Sequence, residues 1–342
     1  MSSTTHAAQF PAPYLVYLGD VEAADCCKTG YGLAEWAAER TLGQFRRNTD
    51  THSVGLPDMS LEAAVQAGAK SLVIGIADVG GYLSQSWHAD LIRAAELGLT
   101  VVSGAHQKLA SIPGLADAAA KSGAELIEVR DSSVSFAVAT GARRKGKRLL
   151  TVGTDCALGK KYTALTLARQ MGARGLKVDF RATGQTGIMI SGAGISIDSV
   201  VVDFVAGAAE ALSPAAADDH WDVIEGQGAL LHPGYAAVTL GLLHGSQPDE
   251  IVLCHDPRRL VNLDSPQVKI PPLGEVIDLY LSAGRLTNSN ISCHAISLNT
   301  RDMIEEERER ALEDARTDTG LIVFDPSTTG VEELVDYLVD RC

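Results

Sequence analysis

The segment Gly153-Thr-Asp-Cys-Ala-Leu-Gly-Lys160 has the residue types and spacing of a phosphate-binding loop, with Gly153, Thr154, Asp155, Cys156, Ala157, Leu158, Gly159 and Lys160 as the candidate cradle. Small residues let successive backbone N–H groups converge on an anion, a following helix aims its positive end there, and a lysine adds a full charge. An apolar run at 149–152 precedes the motif and a helical pattern continues to about Met171, the strand–loop–helix context such a loop needs. Position 161 departs from the usual pattern. A serine or threonine there normally holds Mg²⁺, and this chain has Lys161. Thr163 stands two positions further on, roughly 200° round a helix, so its hydroxyl is expected to face away from the phosphates. Paired lysines without a hydroxyl ligand suit a pre-formed diphosphate better than Mg²⁺-dependent hydrolysis, although Asp155 or Glu225 still offers a carboxylate to a metal.

Three further groups carry chemistry. The turn Thr183-Gly-Gln-Thr-Gly187 follows an apolar strand and offers N–H groups and hydroxyls to an anion, the bland alternative being a structural glycine turn. Glu225, in Val223-Ile-Glu-Gly-Gln-Gly228, closes another apolar run, where a half-buried carboxyl acquires a raised pKa and can serve as a general base. The same position holds Mg²⁺ through water in many P-loop proteins, so it separates neither mechanism. His232 and Asp198 follow Glu225 as base candidates, whereas His244 and His255 read as structural. Two glycine-containing loops of the first half, Asp78-Val-Gly-Gly-Tyr82 and Ser103-Gly-Ala-His106, follow strands and fall at the sheet edge where ligands bind, the bland and favoured alternative being turn glycines with His106 on the surface.

These groups need a parallel sheet to position them. Tyr14–Leu18, Leu72–Ile76, Val101–Ser103 and Leu126–Val129 read as buried strands, with helices at Leu33–Leu42, Leu61–Ala67, His88–Leu97 and Leu115–Lys121. Later strands are expected at Leu149–Val152, Lys177–Arg181, Val223–Glu225, Ile251–Cys254, Ser292–Leu298 and Leu321–Phe324, with helices at Ser199–Leu212, Arg301–Arg316 and Val331–Val339. The fold class is therefore α/β: a Rossmann-like N-terminal domain, 1–142, then a P-loop NTPase-like parallel-sheet domain, 143–342. No G-x-G-x-x-G marks the first half, so it lacks the dinucleotide fingerprint. The basic run Arg143, Arg144, Lys145, Lys147 and Arg148 reads as a solvated linker between the halves.

Composition narrows the partners. A length of 342 residues, 46% hydrophobic but 5% aromatic, with 33 glycines, fits two aliphatic α/β domains. A net charge of −14 repels a phosphate backbone, so no nucleic-acid partner is expected. Six cysteines show no C-x-x-C and no zinc-ligand spacing, so free thiols and no metal site are expected. The N-terminus has no apolar core of a leader and no 18-residue apolar stretch occurs, which points away from a membrane and to the cytoplasm. A homo-oligomer, most simply a dimer, is the default for such enzymes.

The loop spelling resembles the G-T-D-x-x-x-G-K loop of dethiobiotin synthetase, an ATP-using P-loop enzyme; Val223–Gly228 and Ile296-Ser-Leu-Asn299 resemble two more of its strands, the latter ending in an adenine-contacting Asn299. A closer likeness runs through nearly the whole chain. Gly153–Lys160, Thr183–Gly187, Glu225-Gly-Gln-Gly228 with His232-Pro-Gly-Tyr235, and Leu242-Leu-His-Gly-Ser246 together resemble the D-glutamate N-acetyltransferase family, which pairs a Rossmann-like domain with a P-loop domain. The likeness implies acetyl transfer from acetyl-CoA to the amine of D-glutamate in D-amino acid catabolism, without a metal. It places Thr154–Lys161 on the CoA phosphates and Asn299 near adenine. Gln185 and Thr186 then fall to the substrate carboxylate or the oxyanion, and Arg258 and Arg259 to an acidic amino acid, with a surface pair as the alternative. The runner-up is an Mg-ATP-dependent ligase or kinase, which needs the hydroxyl that Lys161 replaces. A nucleotide sensor would leave Thr183–Gly187 and Glu225–Gly228 without a role.

Overall fold

The computed structural model describes residues 10–76, 81–131 and 133–340. The N-terminal half runs β1 (Tyr14–Gly19), α1 (Lys28–Trp36), β2 (Thr41–Arg46), α2 (Leu61–Gln66), β3 (Ser71–Ile74), α3 (His88–Glu96), β4 (Thr100–Ser103), α4 (Leu115–Ser122) and β5 (Leu126–Glu128). The strands form a parallel sheet in the order β2-β1-β3-β4-β5. β1, β3 and β4 are buried along their whole length, which is why they read as continuous apolar runs.

The C-terminal half runs β6 (Lys147–Gly153), α5 (Lys160–Ala173), β7 (Lys177–Arg181), α6 (Gln185–Ser191), α7 (Val205–Leu212), β8 (His220–Ile224), α8 (Ala236–Ser246) and β9 (Glu250–His255). A hairpin of β10 (Val261–Asn262) and β11 (Ser265–Lys269) precedes α9 (Leu273–Gly284), β12 (Ser292–Leu298), α10 (Glu305–Thr319), β13 (Ile322–Phe324) and α11 (Glu332–Val339). The second sheet is also parallel, in the order β13-β12-β9-β6-β8-β7. From central β6 the chain goes out to β7 and β8 on one side and then crosses to β9 on the other. The loop after β6 therefore opens at the switch point, the crevice where α/β sheets take ligands.

The two halves share apolar packing. Tyr14, Val16, Leu33 and Val102 of the first half cluster with Ala182, Ile188 and Met189 of the second. α1 lies against α6, the Thr29 and Thr186 hydroxyls meet at 2.9 Å, and Arg40 donates to the Ser191 carbonyl at 2.6 Å. The carboxyl edge of one sheet is thereby held against the first turn of α6.

Several expectations need correction. The helix expected over Leu33–Leu42 spans Lys28–Trp36, and Thr41–Arg46 is instead the edge strand β2, whose half-exposed residues give no continuous apolar run. The Thr183–Gly187 turn continues as α6, and α8, α9 and the β10–β11 hairpin had no counterpart in the sequence reading. The basic run is solvated only in part: Arg143 and Lys145 are exposed, whereas Arg144 and Arg148 are drawn inward. Arg148 is 1% exposed, bonded through Nε to the Ser213 hydroxyl at 2.8 Å and by its Nη atoms to carbonyls of Arg144, Lys145, Gly146 and Pro214. Arg144 caps carbonyls at Ser213, Gly245 and Ser246, so these arginines fasten β6 to the ends of α7 and α8. Asp78, Val79 and Gly80 of the first glycine loop, and Cys342, lie outside the described residues; Cys27, Cys156, Cys254 and Cys293 are free thiols. Among the described residues no helix is long and apolar enough to cross a membrane.

Candidate active site

β6 ends in Gly153, and the chain wraps into the loop before α5 with Ala157 at φ +54° and Gly159 at φ +94°. Both positions are left-handed; glycine adopts this freely, which is why Gly159 can turn the chain into the helix. Lys160 folds back over the loop, buried, and donates from Nζ to the Asp155 carbonyl at 2.8 Å. Burial pushes its ammonium below the usual value. The Thr154 hydroxyl pairs with His255 Nδ1 at 2.9 Å, and burial lowers the His255 pKa to about 4, so the imidazole is a neutral prop for the loop. Thr163 turns to the Ser297 hydroxyl at 2.8 Å inside the sheet, away from the loop's anion site, as its helical position predicts.

Asp155 is wholly buried and spent on structure. Its oxygens accept from Cys156 N at 2.7 Å, Leu263 N at 2.8 Å and Arg259 Nη1 at 3.0 Å, and Arg259 also donates to the Cys156 carbonyl at 2.6 Å. Arg258 bonds the Asp256 carboxylate through Nε at 3.2 Å and lies 3.8 Å from Asp302. Both arginines are thus committed to carboxylates beside the P-loop, on the β9 side, rather than meeting Gln185 and Thr186. Asn299 follows β12 with its N–H on the His255 carbonyl at 2.8 Å, and its side-chain oxygen receives the Arg301 N–H at 3.4 Å.

On the other side, Glu225 follows β8 and is 4% exposed. Its Oε2 accepts the N–H groups of Thr183 at 2.9 Å and Gly184 at 3.1 Å, while the Thr183 hydroxyl donates to the Glu225 carbonyl at 2.7 Å. Thr183–Gly187 is therefore not an open anion nest, since two of its N–H groups are occupied by Glu225 and its Thr186 hydroxyl by Thr29. Burial raises the Glu225 pKa above the ordinary carboxylate range, opposed by those N–H groups and by nearby Lys161, and reinforced by Asp198. A Cβ on Gly187 would lie 2.3 Å from Glu225 Oε2, so only glycine lets the carboxylate settle against α6. Gln185, at the start of α6, presses on Gly104 of the N-terminal half, where a Cβ would fall 2.3 Å from its Oε1. Asp198 pairs with Arg130 at 2.9 Å and accepts the Ser196 hydroxyl at 2.7 Å. Arg130, Gly104 and Gln185 border one recess between the halves.

His232 is 4% exposed; its Nδ1 accepts from Gly234 N at 3.1 Å and its ring lies 4.6 Å from that of Tyr235. An accepting Nδ1 puts the proton on Nε2, which is buried without a partner among the described residues. His232 thus presents a hydrogen-bond donor at the loop rather than a base. Folding also brings His232 together with Asp155 and Cys156, their ligand-type atoms within 4.8 Å of one another, which sequence spacing does not reveal. With the Asp155 oxygens taken and Arg259 and Lys160 adjacent, this corner favours an anion over a cation. The other acidic group, Asp179, His220 and Asp222, is tied to Arg181, whose Nε bonds Asp222 at 2.7 Å.

Arg130 and Thr29 escaped the sequence reading. They stand in no motif, and only the fold brings them to Asp198 and Thr186, just as it brings the motif's Gln227 to the Thr183 hydroxyl.

A P-loop at the switch point of one parallel sheet, with a second, Rossmann-like sheet packed against its edge, defines a two-domain P-loop protein. The P-loop domain model of DUF1611, described as a domain of unknown function, matches residues 136–335, and its Rossmann-like N-terminal model matches 40–132. The chain belongs to the DUF1611 family. It is similar to two proteins named D-glutamate N-acetyltransferase. One, from Tritonibacter scottomollicae, is 44% identical over 95% of this chain and 98% of its own; the other, from a Pseudoalteromonas species, is 43% identical over 96% and 99%. The crystal structure of a DUF1611 family protein from Anabaena variabilis aligns with TM-score 0.84 and 34% identity, covering 96% of this chain and all of that one.

Proposed function

We propose that this protein transfers the acetyl group of acetyl-CoA to the amine of D-glutamate. The observation that carries this reading is the likeness, at 44% and 43% identity along nearly the whole of both chains, to two proteins bearing that activity in their names. The site is consistent with it: an anion cradle with Lys161 where a metal-holding hydroxyl would stand, and a buried carboxyl nearby.

Backbone amides of the loop, Lys160 and the Nε2–H of His232 hold the coenzyme's phosphates, with Asn299 toward the adenine. The pantetheine arm spans roughly 15 Å when extended, about the reach of four to five residues of chain. It carries the thioester along the carboxyl edge to the start of α6. There Glu225 takes a proton from the substrate ammonium, the amine attacks the thioester carbonyl, and the tetrahedral intermediate breaks its C–S bond to expel the CoA thiolate, which takes the second proton the nitrogen sheds as the amide forms. A carboxyl of raised pKa is a better base for this step than an ordinary one, because its proton affinity is nearer that of the group it deprotonates. Gln185 stands at the same turn to orient the acceptor. The free thiols fit a reducing compartment, the cytoplasm, and the default assembly is a dimer.

The test is CoA release from acetyl-CoA, with mass spectrometry of the product. Formation of N-acetyl-D-glutamate supports the reading; turnover of Mg-ATP with no acetyl transfer to any amino acid would replace it with a ligase or kinase.

A further inference from the structure

An acidic amino acid brings two carboxylates to the cleft, and most cations near it are occupied. Arg259 is bound to Asp155, Arg258 to Asp256, and Lys160 to the loop. The Thr183 and Gly184 N–H groups serve Glu225. Arg130 differs. It follows β5 at the carboxyl edge of the N-terminal sheet, its side chain 20% exposed, and it borders the recess that Gln185 also lines.

Its contacts on the Nε–Nη2 side are the closer ones, and those of Nη1 are longer. Asp198 Oδ2 takes the side of the fork, Nε at 3.1 Å and Nη2 at 2.9 Å. Nη1 donates to the Gly104 carbonyl at 3.2 Å and lies 3.5 Å from His106 Nε2. The second N–H of Nη2 has no acceptor among the described residues. A planar carboxylate that displaces the 3.5 Å His106 contact reaches the end of the fork, between Nη1 and Nη2, and makes two parallel N–H···O bonds there. Asp198 and the Gly104 carbonyl fix that edge in orientation, and Asp198 is itself held by Ser196. The Gly104 carbonyl also ties Arg130 to the strand loop against which Gln185 packs.

We infer that Arg130 receives the side-chain carboxylate of the amino-acid substrate and sets the preference for an acidic acceptor, with Asp198 as its positioning residue. The inference rests on the acetyltransferase reading and adds the residue that selects the substrate. It moves Asp198 from proton transfer to orientation, and assigns to the N-terminal half the recognition of the acceptor, while the P-loop half holds the coenzyme.

The experiment compares wild type with Arg130→Met and Arg130→Lys, measuring kcat/KM for D-glutamate and D-glutamine, KM for acetyl-CoA, and the Kd of D-glutamate by calorimetry. Arg130→Met is expected to lower the D-glutamate to D-glutamine ratio by about 30-fold or more, and to weaken D-glutamate binding by a similar factor, because a buried polar pairing is lost for only one substrate. Arg130→Lys, which keeps the charge but not the fork, falls between. KM for acetyl-CoA stays where it was. Loss of an ion pair that serves only to join the halves would change stability and leave both the ratio and the Kd as in wild type, and that result overturns the inference. A wild-type protein that acetylates other amino acids but not D-glutamate would instead remove the functional reading, and this inference with it.

Discussion

Glu225 Oε2 lies where a Cβ on Gly187 would come within 2.3 Å of it, so the carboxylate occupies space that only a glycine in α6 leaves open. Gly187→Ala must therefore push the carboxylate off the Thr183 and Gly184 N–H groups or shift α6. The expected result is a fall in kcat of about 100-fold, on the order of the loss of an oriented general base. Binding of acetyl-CoA, measured by calorimetry, should remain close to wild type, because the atoms nearest the added Cβ belong to Glu225 and not to the loop.

The pH dependence of turnover should report Glu225. Its pKa is raised by burial, so as a base it is active above that pKa and kcat/KM falls as pH drops through it, with the midpoint above the ordinary carboxylate range. Lys161 opposes the shift. Lys161→Ala should move the acid limb to still higher pH, and Glu225→Gln should abolish the limb together with most of the rate. A limb unchanged in Lys161→Ala would separate the two charges.

How far the site was legible varied with the origin of the signal. The P-loop could be read because its chemistry lies in contiguous residues between a strand and a helix, and the turning of Thr163 away from the loop followed from helix geometry alone. Glu225 could be suspected from its place at the end of an apolar run. Its backbone partners could not, because β7 and β8 come together only in the sheet. Edge strand β2 was missed since half-exposed edges carry no continuous apolar pattern, and α8 because its residues are apolar around most of the helix. Arg144 and Arg148 read as solvent-facing for the opposite reason: a charged run signals water unless distant carbonyls gather around it.

Arg259 is expected to be a structural residue of the coenzyme site. Arg259→Met leaves the wholly buried Asp155 without its cation, at a cost of about 3 kcal/mol in stability by denaturant unfolding. The loosened loop should also raise KM for acetyl-CoA more than KM for D-glutamate. Equal changes in the two would point to a role in binding the amino acid.

His255 gives a stability signature on the acid side. Its folded pKa, about 4, is depressed below the unfolded value near 6.5, so the unfolded chain binds the extra proton between those limits. Stability contributed by the neutral ring is full above about pH 6.5 and is lost as pH falls toward 4, by up to roughly 3 kcal/mol for a shift of this size. His255→Gln should flatten the thermal-unfolding profile over that window, while leaving the Glu225 limb of the rate in place.

The central claim is tested most directly by CoA release from acetyl-CoA with the purified protein, in the presence of a chelator, across D- and L-amino acids including both glutamates. The account predicts stoichiometric thiol release and N-acetylation with D-glutamate and far slower release with L-glutamate. No release with any amino acid, by a folded protein that binds acetyl-CoA, would contradict it.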